Sequence, residues 1–260
     1  MQIQGTIALV TGANRGIGKA FADALLERDA AKVYAGVRDV ATVSASDPRL
    51  VPVQLDVTDA DRVAAVARDL DDVQLVVNNA GIARPATPLS AELDAARAEL
   101  EVNYLSLIAT TQAFAPTLAA NGGGAFVNVL SVGSWIGSPT LSTYTASKSA
   151  AWNFTNSARI ELKHQGTHVV GVHVGFVDTD LTAALDLDKI APAAVTAAAL
   201  DAVEAGEPEA IVDDLSRQVK AGLSDDQHTL YPQIEHDFAA LTDPGRDPQP
   251  KNSWHNENPI

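Results

Sequence analysis

Behind a short apolar run near its start, Thr6–Val10, the chain places Gly12, Gly16 and Gly18 in the stretch Thr11-Gly12-Ala13-Asn14-Arg15-Gly16-Ile17-Gly18. Few features limit a fold more. The apolar run reads as a strand, and a helical pattern from about Gly16 to Arg28 follows at once. Glycines at these places permit a tight strand-to-helix turn, close approach of the backbone to a pyrophosphate, and close helix–strand packing. The helix then aims its free N–H groups and the positive end of its dipole at the turn. Against the alternative of a plain turn, this context favours a dinucleotide site opening an α/β domain.

The rest of the chain repeats the alternation. Lys32–Val37, Leu50–Leu55, Val73–Val77, Ala125–Leu130, Val169–Val174 and Ala210–Val212 read as strands. Val73–Val77 is apolar throughout, as a strand buried on both faces should be. Asp59–Leu70, Leu93–Leu118 and Thr143–Lys163 read as helices, the second broken or bent before Pro116. Strands separated by helices of this length require right-handed crossovers. The expectation is one α/β domain, a doubly wound parallel sheet of about seven strands with helices on both faces. It spans residues 1–242, with a substrate lid near 180–230. Pro244, Pro248, Pro250 and Pro259 mark 243–260 as an extended tail, or as an arm docking on a neighbouring subunit through Trp254 and Ile260.

Charge and composition exclude whole classes of function. Thirty-three acids against eighteen Lys and Arg give a net charge of −15, which repels nucleic acid and anionic lipid. A small anionic ligand then needs locally placed cations. Cysteine is absent, excluding disulfides, thiol nucleophiles and thiolate metal sites. His164, His168 and His173 are scattered without a metal-ligand spacing, so no metal is expected. His228 and His236 read as surface residues, and acidic pairs such as Asp213-Asp214 as solvated turns. Without a signal peptide or a membrane-length apolar run, a soluble cytoplasmic protein is expected.

The glycine spacing G-x-x-x-G-x-G resembles the short-chain dehydrogenase/reductase family, and later motifs carry the resemblance further. Asn78-Asn79-Ala80-Gly81 matches the family's NNAG, and Tyr144-Thr145-Ala146-Ser147-Lys148 its YxASK. Asn103 and Ser131 fall between them in the family's order, and the likeness runs from about Thr6 to Leu181. It implies a Rossmann-type fold and an oxidoreductase that interconverts a carbonyl and an alcohol by hydride transfer. Asn103, Ser131, Tyr144 and Lys148 would be the catalytic set. Gly12, Asn14, Arg15, Gly16, Ile17, Gly18, Asn79, Gly81, Val177 and Thr179 would line the nicotinamide cofactor, with Tyr144 and Lys148. Asp56, with Val57 beside it, would meet adenine, Thr179 the carboxamide, and Asn103 a water linking Lys148 to solvent. The family's interface helices correspond to Leu93–Leu118 and Thr143–Lys163, which implies a homotetramer first and a dimer second. Two departures stand out. Val174-Gly175 replaces the usual Pro-Gly, which questions the rigidity of that turn, and Asp29 replaces a helix-end glycine at modest cost.

The residues support this chemistry on their own terms. Tyr144 and Lys148 lie four apart in a helical stretch, hence on one face. A phenol has a pKa of about 10, and neighbouring positive charge favours its phenolate. Tyr144 is thus a candidate general acid/base, with Ser131 as hydrogen-bond partner of the reacting oxygen. Where an NAD site would place a carboxylate, the second strand ends in Val37, followed by Arg38. Guanidinium suits a 2′-phosphate, and Arg15 in the glycine turn resembles a basic residue that NADP-preferring members of the family use on the same phosphate, so NADP (NADPH) is the expected cofactor. The rival acid, Asp39, stands one step too far along. Trp135, Ile136 and Leu141, with Leu181, Leu185 and Leu187, suggest a neutral, apolar carbonyl or alcohol substrate. A cofactor sensor without catalysis is the alternative; such proteins lose the Tyr or the Lys, and this chain keeps both.

Overall fold

A computed structural model describes residues 1–242, and the expected tail with Trp254 and Ile260 lies outside the described residues. Seven strands form one wholly parallel sheet: β1 (Ile7–Thr11), β2 (Lys32–Val37), β3 (Leu50–Gln54), β4 (Leu75–Asn78), β5 (Gly124–Val129), β6 (Thr167–His173) and β7 (Glu209–Ile211). Their order is β3-β2-β1-β4-β5-β6-β7. The winding reverses between β1 and β4, and sheets of this kind bind ligands at the carboxyl ends of the strands beside such a reversal.

Strand periodicity sorts the core into two layers. Ala8, Val10, Val33, Ala35, Val127 and Val172 point to one face, covered by α1 (Gly16–Glu27) and α6 (Pro192–Ala205) through Phe21, Leu25, Val195 and Leu200. Leu9, Val76, Phe126 and Val169 point to the other. There α2 (Ala60–Asp69), α4 (Ser106–Ala120) and α5 (Ser142–Leu162) cover them with Val63, Val66, Phe114, Leu118 and Leu162. The doubly wound α/β class is the one expected, with strand ends moved by one or two residues. Among the described residues no helix is long and apolar enough to cross a membrane.

The helical stretch from Leu93 departs from expectation in an instructive place. Pro116 sits inside α4 without ending it. The irregularity comes earlier: α3 (Leu93–Leu100) passes through a π-helical turn, Glu101–Leu105, before α4 begins. Asn103 is buried within that turn, and π-turns of this kind recur at functional sites.

Beyond β7 the chain forms α7 (Asp214–Gly222), α8 (Asp226–Thr229) and α9 (Tyr231–Thr242). Asp213, read from sequence as a solvated turn, has two structural tasks. Its carboxylate accepts from Ser216 N at 2.7 Å, capping α7, and from Gly175 N at 2.6 Å. That second bond holds the turn after β6 where the family's proline is missing. Asp29 has φ +58°, the left-handed conformation expected of it.

Candidate active site

At the carboxyl end of β1 the glycine turn leaves no room for side chains. A Cβ on Gly18 would stand 2.2 Å from Gly12 O and 2.5 Å from Asn79 Nδ2, so only glycine fits. Gly12 and Gly16 have φ of +68° and +54°, conformations that L side chains rarely adopt. Thr11 locks this turn to β4 across the sheet reversal. Its Oγ1 accepts from Asn79 N at 3.0 Å and Ala80 N at 3.1 Å, while Asn79 Nδ2 donates to Thr11 O at 2.9 Å. Asn79 therefore braces the cradle. Thr179 comes over the turn from the β6 side, 3.3 Å from where a Gly16 Cβ would be, and Val177 beside it is buried. Ile17 packs against the core, and Asn14 is exposed.

The four expected catalytic residues converge beside this cradle. Lys148 is 6% exposed, donates from Nζ to Val129 O at 2.9 Å, and lies 5.9 Å from the centre of the Tyr144 ring. A Cβ on Gly81 would stand 3.2 Å from Asn103 Oδ1 and 3.6 Å from Lys148 Nζ, which puts the NNAG turn against both. Asn103 donates to Ile82 O and Ser147 Oγ and accepts from Ile82 N, each at 2.9 Å. Asn103 and Lys148 also border an internal cavity of about 10 Å3, close to the space one water needs. Ser131 Oγ accepts from Gly133 N at 3.1 Å, leaving its own O–H to donate. Ser147 donates to Tyr144 O at 2.7 Å and carries Asn103 on the same hydroxyl.

Burial dominates the electrostatics. It pushes the Tyr144 phenol above its usual value; the Ser131 hydroxyl pulls it back, and the charge of buried Glu99 pushes it further up. Burial lowers Lys148 to about 8. The protein alone thus does not produce the lowered phenol expected from its neighbours.

On the β2 side, Arg38, Gln54, Asp56, Asp59 and Arg62 line an open groove of about 480 Å3. Asp56 accepts from Thr58 N and Oγ1, which together with nearby Arg38 hold its carboxyl below the usual range. Val57 packs against the core next to it. Asp39 is turned away to cap its own chain, accepting from Ala41 N at 3.0 Å. Arg15 pairs with Asp180 at 2.7 Å, both side chains about 70% exposed. Ion pairs so open to water contribute at most about 1 kcal/mol.

Comparison with known proteins agrees with this architecture. The family model of the short chain dehydrogenases matches residues 6–190. A short chain dehydrogenase from Burkholderia cenocepacia, solved in complex with NADP, is 40% identical with a TM-score of 0.86, over 90% of this chain and 99% of that one. The cis-4-hydroxycyclohexanecarboxylate dehydrogenase of Sinomonas cyclohexanicum is 38% identical over 70% of this chain and 77% of its own length. A 3-oxoacyl-acyl-carrier-protein reductase of Vibrio harveyi is 30% identical over 81% of this chain and 88% of its own. With glycine cradle, NNAG turn and Ser131–Tyr144–Lys148 in one cleft, the chain belongs to the short-chain dehydrogenase family of oxidoreductases.

Proposed function

We propose that the protein is an NADP(H)-dependent reductase of a ketone or aldehyde, also able to run from the alcohol. The carrying observation is the convergence of Ser131, Tyr144 and Lys148 beside a cradle whose glycines admit no side chain. That cradle fits a pyrophosphate, and the groove bordered by Arg38 fits an adenosine carrying a 2′-phosphate. NADPH bound there supplies the hydride. Tyr144 donates its proton to the carbonyl oxygen, and Ser131, with its O–H free to donate, holds that oxygen in place. Lys148 holds the ribose, and with Asn103 borders the small cavity through which Tyr144 is reprotonated.

The substrate is a neutral, largely apolar carbonyl compound. Trp135, Ile136 and Leu141 follow Ser131 along the chain, and Leu181 and Leu185, just after Thr179, stand 57% and 41% exposed. Lys220 and Arg15 are engaged by Glu209 and Asp180. Within the span 180–230, α6 and β7 belong to the sheet's core, so residues 180–190 are the part that serves as lid. NADPH consumption against a panel of ketones and aldehydes tests the reading. Turnover with at least one is expected, whereas tight NADPH binding with no turnover across the panel makes the protein a sensor.

The assembly is a homotetramer built on α3, α4 and α5. Leu93, Leu100 and Leu105 along α3 and the π-turn, and Ile160 on α5, are apolar side chains left open to solvent. Light scattering at micromolar concentration is expected to give four subunits, and a monomer there defeats the assignment.

A further inference from the structure

Directly beneath the Ser131 turn lies a second buried polar cluster, unused by the proposed proton transfer. His173 ends β6 with its side chain wholly buried. Its imidazole lies flat on the Trp135 indole, ring centroids 3.8 Å apart and planes within 15°. Nδ1 is 3.4 Å from the Ser131 carbonyl oxygen, and Nε2 has no hydrogen-bond partner. The Glu209 carboxylate stands 3.7 Å from Nε2 but is engaged by Lys220, whose ammonium also sits 5.6 Å from the centre of the Trp135 ring. A buried nitrogen without a partner is costly, so packing alone favours a phenyl ring here. What the imidazole adds is its Nδ1–H toward Ser131.

The turn under which it lies is the one that aims the Ser131 hydroxyl. Ser131 N donates to Ser134 Oγ at 3.1 Å, Gly133 N donates to Ser131 Oγ at 3.1 Å, and Trp135 closes the turn. Ser149 of α5 donates to Ser134 O at 2.9 Å, tying this turn to the helix that carries Tyr144. Whatever seats Trp135 therefore sets Ser131 against Tyr144.

We propose that His173 is a positioning residue for the Ser131–Tyr144 pair, its ring under Trp135 and its Nδ1–H at the Ser131 carbonyl holding the Ser131 hydroxyl at the phenol. The inference rests on the reading of Tyr144 as the acid/base group. Burial keeps the imidazole uncharged, at about 4, against Glu209 of β7 and with Lys220 of α7 and Arg159 of α5. The groups facing Tyr144 are Ser131, Glu99 of α3 and Lys148 of its own helix. Of these, Ser131 pulls the phenol down, so a displaced Ser131 lets it rise.

Ultraviolet difference titration of the Tyr144 phenolate tests this without a substrate. The full chain is titrated free and with NADP+, using Tyr144→Phe as the blank. His173→Ala is expected to move the Tyr144 midpoint to higher pH by about half a unit or more, with NADP+ affinity within about twofold of the parent. A folded His173→Ala whose midpoint coincides with the parent overturns the proposal. Should that variant not fold, the titration passes to His173→Phe, which keeps the stack, and His173→Asn, which keeps a donor. A raised midpoint in either supports the inference, and parent midpoints in both overturn it. Failure of the functional reading shows separately, as no turnover on the carbonyl panel or no NADP+ binding, and the free-protein titration stands apart from both.

Discussion

Tyr144→Phe is expected to lower kcat by about 10²–10⁴ while leaving NADPH affinity within about twofold. The change removes one oxygen and keeps the ring, so the helical face shared with Lys148 and the bond from Ser147 to the backbone of residue 144 persist. What is lost is the transferable proton, with the phenol's hydrogen bond to Ser131. Steady-state rates on a ketone found by the panel decide it, and a variant keeping more than about a tenth of the parent kcat removes Tyr144 as the acid. The pH dependence carries a sign. Burial holds the phenol above its usual value, so it keeps its proton through the neutral range, as reduction requires. Reduction is therefore flat near neutrality and falls as pH rises through the phenol's titration, whereas alcohol oxidation rises over the same range. Lys148, at about 8, loses its charge on the way, which removes a favourable neighbour of the phenolate and delays its formation.

Features set by local chemistry were legible from the chain. Strands buried on both faces give unbroken apolar runs, and Val76 and Val77 pack into opposite layers, as that reading requires. The glycine turn was legible because only glycine fits where Gly18 touches Gly12 and Asn79. Features set by distant partners were not. A proline inside a helical run signals a break, yet Pro116 is accommodated, while the real irregularity surrounds Asn103, whose amide is bound by Ile82 across the cleft. No local pattern announces that bond. Ser147 looks like any small polar helix residue until Asn103 reaches it, and Asp213 like any turn acid until Gly175, far along the chain, donates to it. His173 fits the alternation of β6, but nothing local shows that its ring lies under Trp135. The sequence also led to a phenol lowered by Lys148; the depth at which α5 buries both heads, a tertiary quantity, reverses that for the protein alone.

Cofactor choice needs no substrate to test. The parent is expected to bind NADPH at least about tenfold tighter than NADH, and a Val37→Asp, Arg38→Ser double variant to reverse the order. Arg38 borders the groove at the ends of β2 and β3, joined there by Arg62, whose Nε is anchored on Gln54 O at 3.0 Å. Charge-assisted contacts to a phosphate contribute about 1.5–3 kcal/mol each, and exposure at the groove's rim lowers that. About 1.4 kcal/mol is one decade of affinity, so two discounted contacts together reach tenfold. Arg15 has first to leave Asp180, but an ion pair that open to water yields readily to a dianion. Against NADH the groove offers little: Val37 is apolar, and Asp39 spends its carboxylate on Ala41 N. Aspartate at 37 restores an acceptor for the two ribose hydroxyls, and serine at 38 removes the cation that favours the phosphate. The parent's preference should shrink as salt is raised, since exposed charges are screened. Fluorescence titration of the free protein with each reduced cofactor reads all of this. Equal affinities, or tighter NADH, would mean that Arg38 faces solvent and that Asp39 gives up its turn to take the ribose.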